Sequence, residues 1–174
     1  MVVAPSRVRR SLHAAAAVPM KSPVDANPES WHRFFGASAN NAAWALAELP
    51  AREVDCRQLL DAAHAAAWHW QHIGNELNRM RALMLLAQAH AKVGLGTTAL
   101  AFAEAMRAYF LSTPGTPDWE LAFTHSVHAH AAWAAGARDE HAQSYAKAVD
   151  AIAAIADEED KRIVQRVFRH VPAA

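Results

Sequence analysis

Residues 74–110 read GNELNRMRALMLLAQAHAKVGLGTTALAFAEAMRAYF, and this stretch decides the fold. Asn75 stands where a helix N-cap belongs, its side-chain oxygen within reach of an orphan amide, and Glu76 follows where the helix dipole favours negative charge. Leu77, Met80, Leu83, Met84, Ala87 and Ala91 then recur with helical period up to Gly94. Gly96 and Thr97 open a second run over 98–111, carrying Leu100, Phe102, Ala103, Met106, Tyr109 and Phe110. A connection this short forces the second helix back along the first as an antiparallel neighbour.

The flanks repeat the rhythm. Upstream, a helix over 54–73 carries Leu59, Leu60, Ala63, Ala67, Trp70 and Ile73, and Gly74 ends it as a C-cap glycine does. Before that, Asn27 as N-cap with Pro28 at the first helical position predicts a helix to Leu49, stopped by Pro50. Gly36 and the Asn40, Asn41 pair weaken its middle, so a break near Gly36 is expected. Downstream, Thr116 as N-cap, Pro117 at the first helical position, and Asp118 and Glu120 in the first turn start a fifth helix that runs to Ala135 and stops at Gly136. Asp139 caps a sixth to about Ala156. Asp157 with Asp160 resembles a capping box for a seventh that ends near Pro172. The expected count is about seven helices.

Composition agrees with an all-α fold. Of 174 residues 43 are alanine, the best helix former and one small enough to let helices approach closely. The length suits one domain over 28–174, preceded by a flexible basic arm over 1–27, where Arg7, Arg9, Arg10 and Lys21 meet no acid before Asp25. Formal charge is zero, so no net field gathers nucleic acid. No apolar run approaches the roughly 20 residues that span a bilayer. Residues 14–18 are too short an apolar run for a signal peptide. The single cysteine, Cys56, excludes an intrachain disulfide and fits a reducing compartment, with the expectation of an inert, partly buried thiol in a cytoplasmic protein.

Stacked helical hairpins make a bundle or a right-handed solenoid. On the tetratricopeptide (TPR) template, with Gly94 at the joint, Ala87 and Ala99 fall where two backbones approach, and Ala103 at a third packing position. The next equivalent glycine, Gly136, comes too late for a regular repeat, so the array is a degenerate one. Ala63, His64, Trp68, His69, Trp70, Gly74, Asn78, Arg81, Ala82 and Leu86, then Gly94, Ala99, the run from Asp118 to Phe123, and Glu159 with Asp160, are similar to an uncharacterised bacterial family of small TPR-like proteins. The similarity covers about 55–168. The template positions favour a degenerate TPR-like right-handed solenoid of antiparallel hairpins, and the resemblance implies an α-helical repeat fold and no established activity. Where relatives carry a Glu and an Arg one turn apart in helix five, this chain has Ser126 and His130.

Eleven histidines, seven of them between His64 and His130, are the unusual feature. His125 and His128 share a face of helix five, and His69 and His72 a face of helix two, with Trp68 and Trp70 beside them. Such pairs are half of a metal site, or else imidazoles hydrogen-bonded at helix interfaces; no HExxH motif completes the first reading. Asn78 and Arg81 share a face of helix three, and Arg81 is within reach of Asp118 or Glu120 if helices three and five line one side. That constellation reads as a bidentate carboxylate site on a concave surface, or as a salt bridge setting the stacking register. Six tryptophans are spread over several helices and read as core bulk. No GxSxG, Cys/His pairing or phosphate loop is present.

The expectation is therefore a non-catalytic TPR-like protein–protein interaction module without a cofactor. Its partner is an unspecified protein or peptide, neither nucleic acid nor membrane, or a second copy meeting the Trp31, Phe34, Phe35 and Trp44 face of helix one. The competing expectation is a His-lined metal or small-molecule site, catalytic or not, between helices two, three and five.

Overall fold

The computed structural model describes residues 21–24 and 26–174, so most of the arm expected over 1–27 lies outside the described residues. Seven helices follow in order: α1 (Pro28–Ala47), α2 (Cys56–Ile73), α3 (Glu76–Lys92), α4 (Gly96–Ser112), α5 (Asp118–Ala135), α6 (Arg138–Ala154) and α7 (Glu158–Phe168). No strand occurs among the described residues. The protein is all-α.

The caps explain the starts. Asn27 Oδ1 accepts from Glu29 N at 3.0 Å, Asp55 Oδ1 from Gln58 N at 3.0 Å, and Asp157 Oδ1 from Glu159 N at 2.8 Å and Asp160 N at 2.9 Å. Asn75 and Asn78 form a reciprocal capping box, each side-chain oxygen accepting the other's backbone amide, at 2.9 and 3.2 Å. Several boundaries differ from the sequence reading. Helix two begins at Cys56, after a 3₁₀ turn at Ala51–Glu53 and the Asp55 cap. Pro117 occupies the N-cap of α5, with extended backbone (φ −57°, ψ 150°), and Thr116 does not cap it. The Thr116 hydroxyl lies 2.9 Å from both the Phe110 and the Thr113 carbonyls, at the exit of α4. Asp139 sits inside the first turn of α6 rather than at its cap, and α7 stops four residues before Pro172.

Two glycines set how closely elements meet, and a third ends a helix. Gly36 does not break α1; it is buried, and a Cβ there would stand 3.2 Å from His69 Cβ and 3.3 Å from the Trp70 ring, so its smallness lets α1 lie on α2. Gly96 opens α4 directly against the Ala134 carbonyl, with no room for a methyl group. Gly136 ends α5 in the left-handed region (φ 77°), the stop expected of it.

Consecutive helices pair as α1 with α2, α3 with α4 and α5 with α6, and α3 also packs on α1, α2 and α5. Ala87, Ala99 and Ala103 are fully buried, which is the close backbone approach their size permits. Helix α3 carries more than one apolar stripe: every residue from Met84 to Ala91 is buried, because helices flank it on several sides. The same holds for α5 from Ser126 to Ala132.

The row made by α1, α3, α5 and α7 curls tightly. Trp44 of α1 packs on Phe123 of α5 at 5.6 Å between ring centroids, and Trp119 meets Phe123 edge-on at 6.2 Å. Past the end of α7, Arg169 Nη2 and His170 Nε2 donate to the Glu48 carbonyl just past α1, at 3.2 and 2.9 Å. First and last helices therefore meet at one end. Trp31, Phe34 and Phe35 pack on one another at the start of α1, and Phe35 remains 44% exposed.

Candidate functional site

The residues singled out from sequence fall into separate places. Arg81 Nε and Nη2 donate to Glu120 Oε1 and Oε2 at 2.6 and 2.9 Å, a bidentate pair between α3 and α5. Glu120 is 1% exposed, and the Arg81 guanidinium also lies 5.3 Å from the Trp119 ring centroid. The hydrogen bond to Glu120 raises the Arg81 pKa further. Both carboxylate-binding arms of Arg81 are thus taken by its own chain, and the pair locks α3 to α5. Asp118 does not join them: its oxygens accept from Trp119 N at 2.7 Å and Ala156 N at 3.2 Å, tying the start of α5 to the α6–α7 turn. Asn78 belongs to the capping box.

His69 and His72 gather with a residue the sequence reading did not name, His32 of α1. His32 Nδ1 and His69 Nδ1 are 2.9 Å apart, and the His32 and His72 rings stack at 5.0 Å. His72 Nδ1 donates to the Trp68 carbonyl at 2.8 Å. Burial, then the neighbouring His32 and His72, lower the His69 pKa. Among the described residues no group of three or more His, Cys, Asp or Glu is placed to hold a metal ion.

His128 is 2% exposed and joins three helices. Its Nε2 donates to Glu104 Oε1 of α4 at 2.6 Å, and its Nδ1 lies 2.7 Å from Ser144 Oγ of α6, which donates when the ring is neutral. Acid, imidazole and hydroxyl in a line have the order of a nucleophilic triad. The exposures are the reverse of what attack requires: Ser144 is 2% exposed and the Glu104 side chain 52%. The arrangement is a buried polar tie. His125, which the sequence places beside His128, keeps a buried Nδ1 without a partner among the described residues. Helix α2 carries His69 and His72 against α1, and α5 carries His128 towards α4 and α6, so these two histidine groups do not come together.

The open feature is elsewhere, on the outer side of α3. Helices α2 and α4 both pack on α3 without forming a packed pair with each other. Between them runs a cleft of about 660 Å³, floored by Met80, Leu83 and Leu86, walled by Ala65 and Trp68 of α2 and by Phe102 of α4. Small alanines on α2 leave the gap. Trp68 is 54% exposed at the rim, and Arg79 and His64 add polar edges. His64 meets His90 edge-on at 5.2 Å, and burial followed by the His90 charge lowers its pKa. Sequence periodicity flagged Trp70 rather than Trp68, because a groove left by small residues has no local signature.

Comparison with models of protein families, with characterised proteins and with solved structures finds no match for this chain.

Proposed function

We propose that the protein is a non-catalytic, TPR-like helical-repeat module that binds a segment of a partner protein in the cleft between α2 and α4. The observation that supports this reading is the open, largely apolar cleft of about 660 Å³ with Trp68 54% exposed on its rim. Exposed tryptophan beside an apolar floor is the composition of a binding hot spot, and a gap between two helices over a third suits an amphipathic helix laid in a groove. The inner row, where such arrays usually bind, is filled by Trp44, Phe123 and Trp119. No helix among the described residues is long and apolar enough to cross a membrane. Cys56 is exposed and unpaired, not partly buried as its sequence context suggested, and a lone free thiol favours the reducing cytoplasm.

The test is affinity capture from the native host with wild type, Trp68→Ala and Ala65→Arg, the last filling the cleft, each checked for native helicity by circular dichroism. A partner held by wild type and lost by both variants is the expected result. Equal capture by all three would overturn the cleft assignment.

The metal reading keeps one observation in its favour, the His32–His69 contact at 2.9 Å with His72 stacked beside it. A zinc titration followed by thermal shift decides it: a stoichiometric metal lost in His69→Ala would displace the scaffold-only reading.

A further inference from the structure

The hydrogen bonds of His128 fix how α4, α5 and α6 sit in register. Glu104 stands level with His128, and His128 with Ser144. Because α5 runs antiparallel to both neighbours, one turn onward on α4 and α6 is one turn back on α5. That step brings Arg107, His125 and Lys147 into one layer next to the His128 tie.

This layer has more donors than acceptors. Arg107 Nε and His125 Nδ1 are both buried without a hydrogen-bond partner among the described residues. Two carboxylates act beside the layer: Glu104, whose Oε1 is taken by His128 and whose Oε2 pairs with Arg107 Nη1 at 3.6 Å, and Glu140 of α6, whose charge acts on His128. Lys147 has no ion pair among the described residues. Its proximity is felt at His125, whose pKa is lowered to about 4 by burial first, then by the charges of Lys147, Arg107 and His128. The layer opens outward, since the Arg107 side chain is 27% exposed and Lys147 is exposed. Buried polar groups without partners are costly, so a layer that keeps an orphaned guanidinium N–H and an orphaned ring nitrogen, with Arg107 sharing the one Glu104 carboxylate and Lys147 unpaired, is suited to an anion.

We propose that Arg107, His125 and Lys147 form a binding site for a phosphate-type oxyanion, inorganic phosphate or a small phosphomonoester. Arg107 and Lys147 together outweigh the Glu104 carboxylate they share the layer with, and the several oxygens of a phosphate suit polar groups arriving from three helices. Arg107 supplies a planar fork, Lys147 a mobile point charge from the exposed side, and His125 a ring nitrogen from the floor. Carboxylates bring fewer oxygens and less charge to the same donors.

The test uses the full chain, titrated with sodium phosphate and, in a second arm, phenyl phosphate, by isothermal calorimetry at constant ionic strength. The His125 ring proton is followed by NMR with and without phosphate. One saturable site is expected. Phosphate raises the His125 titration midpoint from about 4, because an anion beside the ring favours its charged form; the charged groups that act on that ring are Arg107 on α4, His128 on α5 and Lys147 on α6, while Glu104 and Ser144 are bound to His128. Arg107→Gln and Lys147→Gln each weaken binding about tenfold or more, a charge-assisted hydrogen bond apiece, whereas Arg162→Gln on α7 leaves it unchanged. Lys147 is exposed, so its variant folds even if the Arg107 variant does not. Stronger binding of phenyl phosphate than of phosphate assigns an organic phosphomonoester; equal binding assigns the free ion. No saturation into the tens of millimolar, an equal response to chloride, or unchanged binding by Lys147→Gln overturns the site.

Discussion

Lys92, in the last turn of α3, is half-buried, and its pKa is lowered to about 8 by burial and then by the charge of Arg169. No carboxylate pairs with it among the described residues. A lysine held this way favours its neutral form in the fold, so between about pH 8 and the ordinary lysine value the unfolded chain binds more protons and stability rises with pH; below that window the burial cost stands in full. Lys92→Met is accordingly expected to raise the urea midpoint at neutral pH, and an unchanged or lower midpoint would refute it. Ser144 behaves oppositely. Its hydroxyl is the partner of His128 Nδ1 in a buried site, so Ser144→Ala strands that nitrogen and is expected to cost about 1–3 kcal/mol in chemical denaturation. Neither consequence is legible from sequence, because a lysine or serine on a helix announces nothing about its neighbours on other helices.

Between elements, the Arg81–Glu120 pair carries a large expected effect. Glu120 is 1% exposed, so Arg81→Met leaves a carboxylate buried without its counter-charge. The expected loss is about 3 kcal/mol, moderated by water reaching the half-exposed site. The double variant Arg81→Met with Glu120→Met removes both charges and recovers much of that loss; a double variant as unstable as the single one would show that the pair contributes more than mutual neutralisation. Gly96→Ala drives a methyl group into the Ala134 carbonyl where α4 meets α5, with an expected cost of about 3 kcal/mol. The elements themselves were largely legible: Asn27, Asn75 and Asp157 cap as read, and Gly94 and Gly136 end helices where the periodic pattern stops. Misreadings lay at ends decided by more than one candidate residue. Thr116 and Pro117 both offered a start for α5, and the Thr116 hydroxyl is at the carbonyls closing α4 instead.

At the scale of the whole molecule the histidines act together. Burial is the first cause lowering the pKa of His64, His69, His125, His128, His130 and His170, with His125 and His130 brought to about 4. The sign follows directly. Below the ordinary histidine value the unfolded chain takes up protons that the fold refuses, so stability is full above about pH 6.5 and falls as pH drops towards 4, by about 1.4 kcal/mol per pH unit for each proton held in excess. The melting temperature is expected to decline across that window, and one that stays flat from pH 7 to pH 5 would contradict the burial of these rings. High histidine content and helical spacing made the cluster visible in sequence; its division into a His32–His69–His72 group, a His128 tie and a His130–Gln88 contact of 3.1 Å was not, since each of these contacts joins side chains of different helices and depends on their register.

By itself the sequence determined that residues 28–174 form a succession of about seven amphipathic or alanine-rich helices joined by short turns, because period, caps and stops are local chemistry read within a few residues. Only the tertiary structure decided that the Trp44 and Phe123 rings fill the inner row, that Glu48 joins α1 to Arg169 and His170, and that an open cleft lies on the outer side of α3. The physical reason is that curvature and grooves arise from how side-chain volumes on different helices add up. A stretch of alanine says that two helices approach closely, and what remains uncovered depends on all the others.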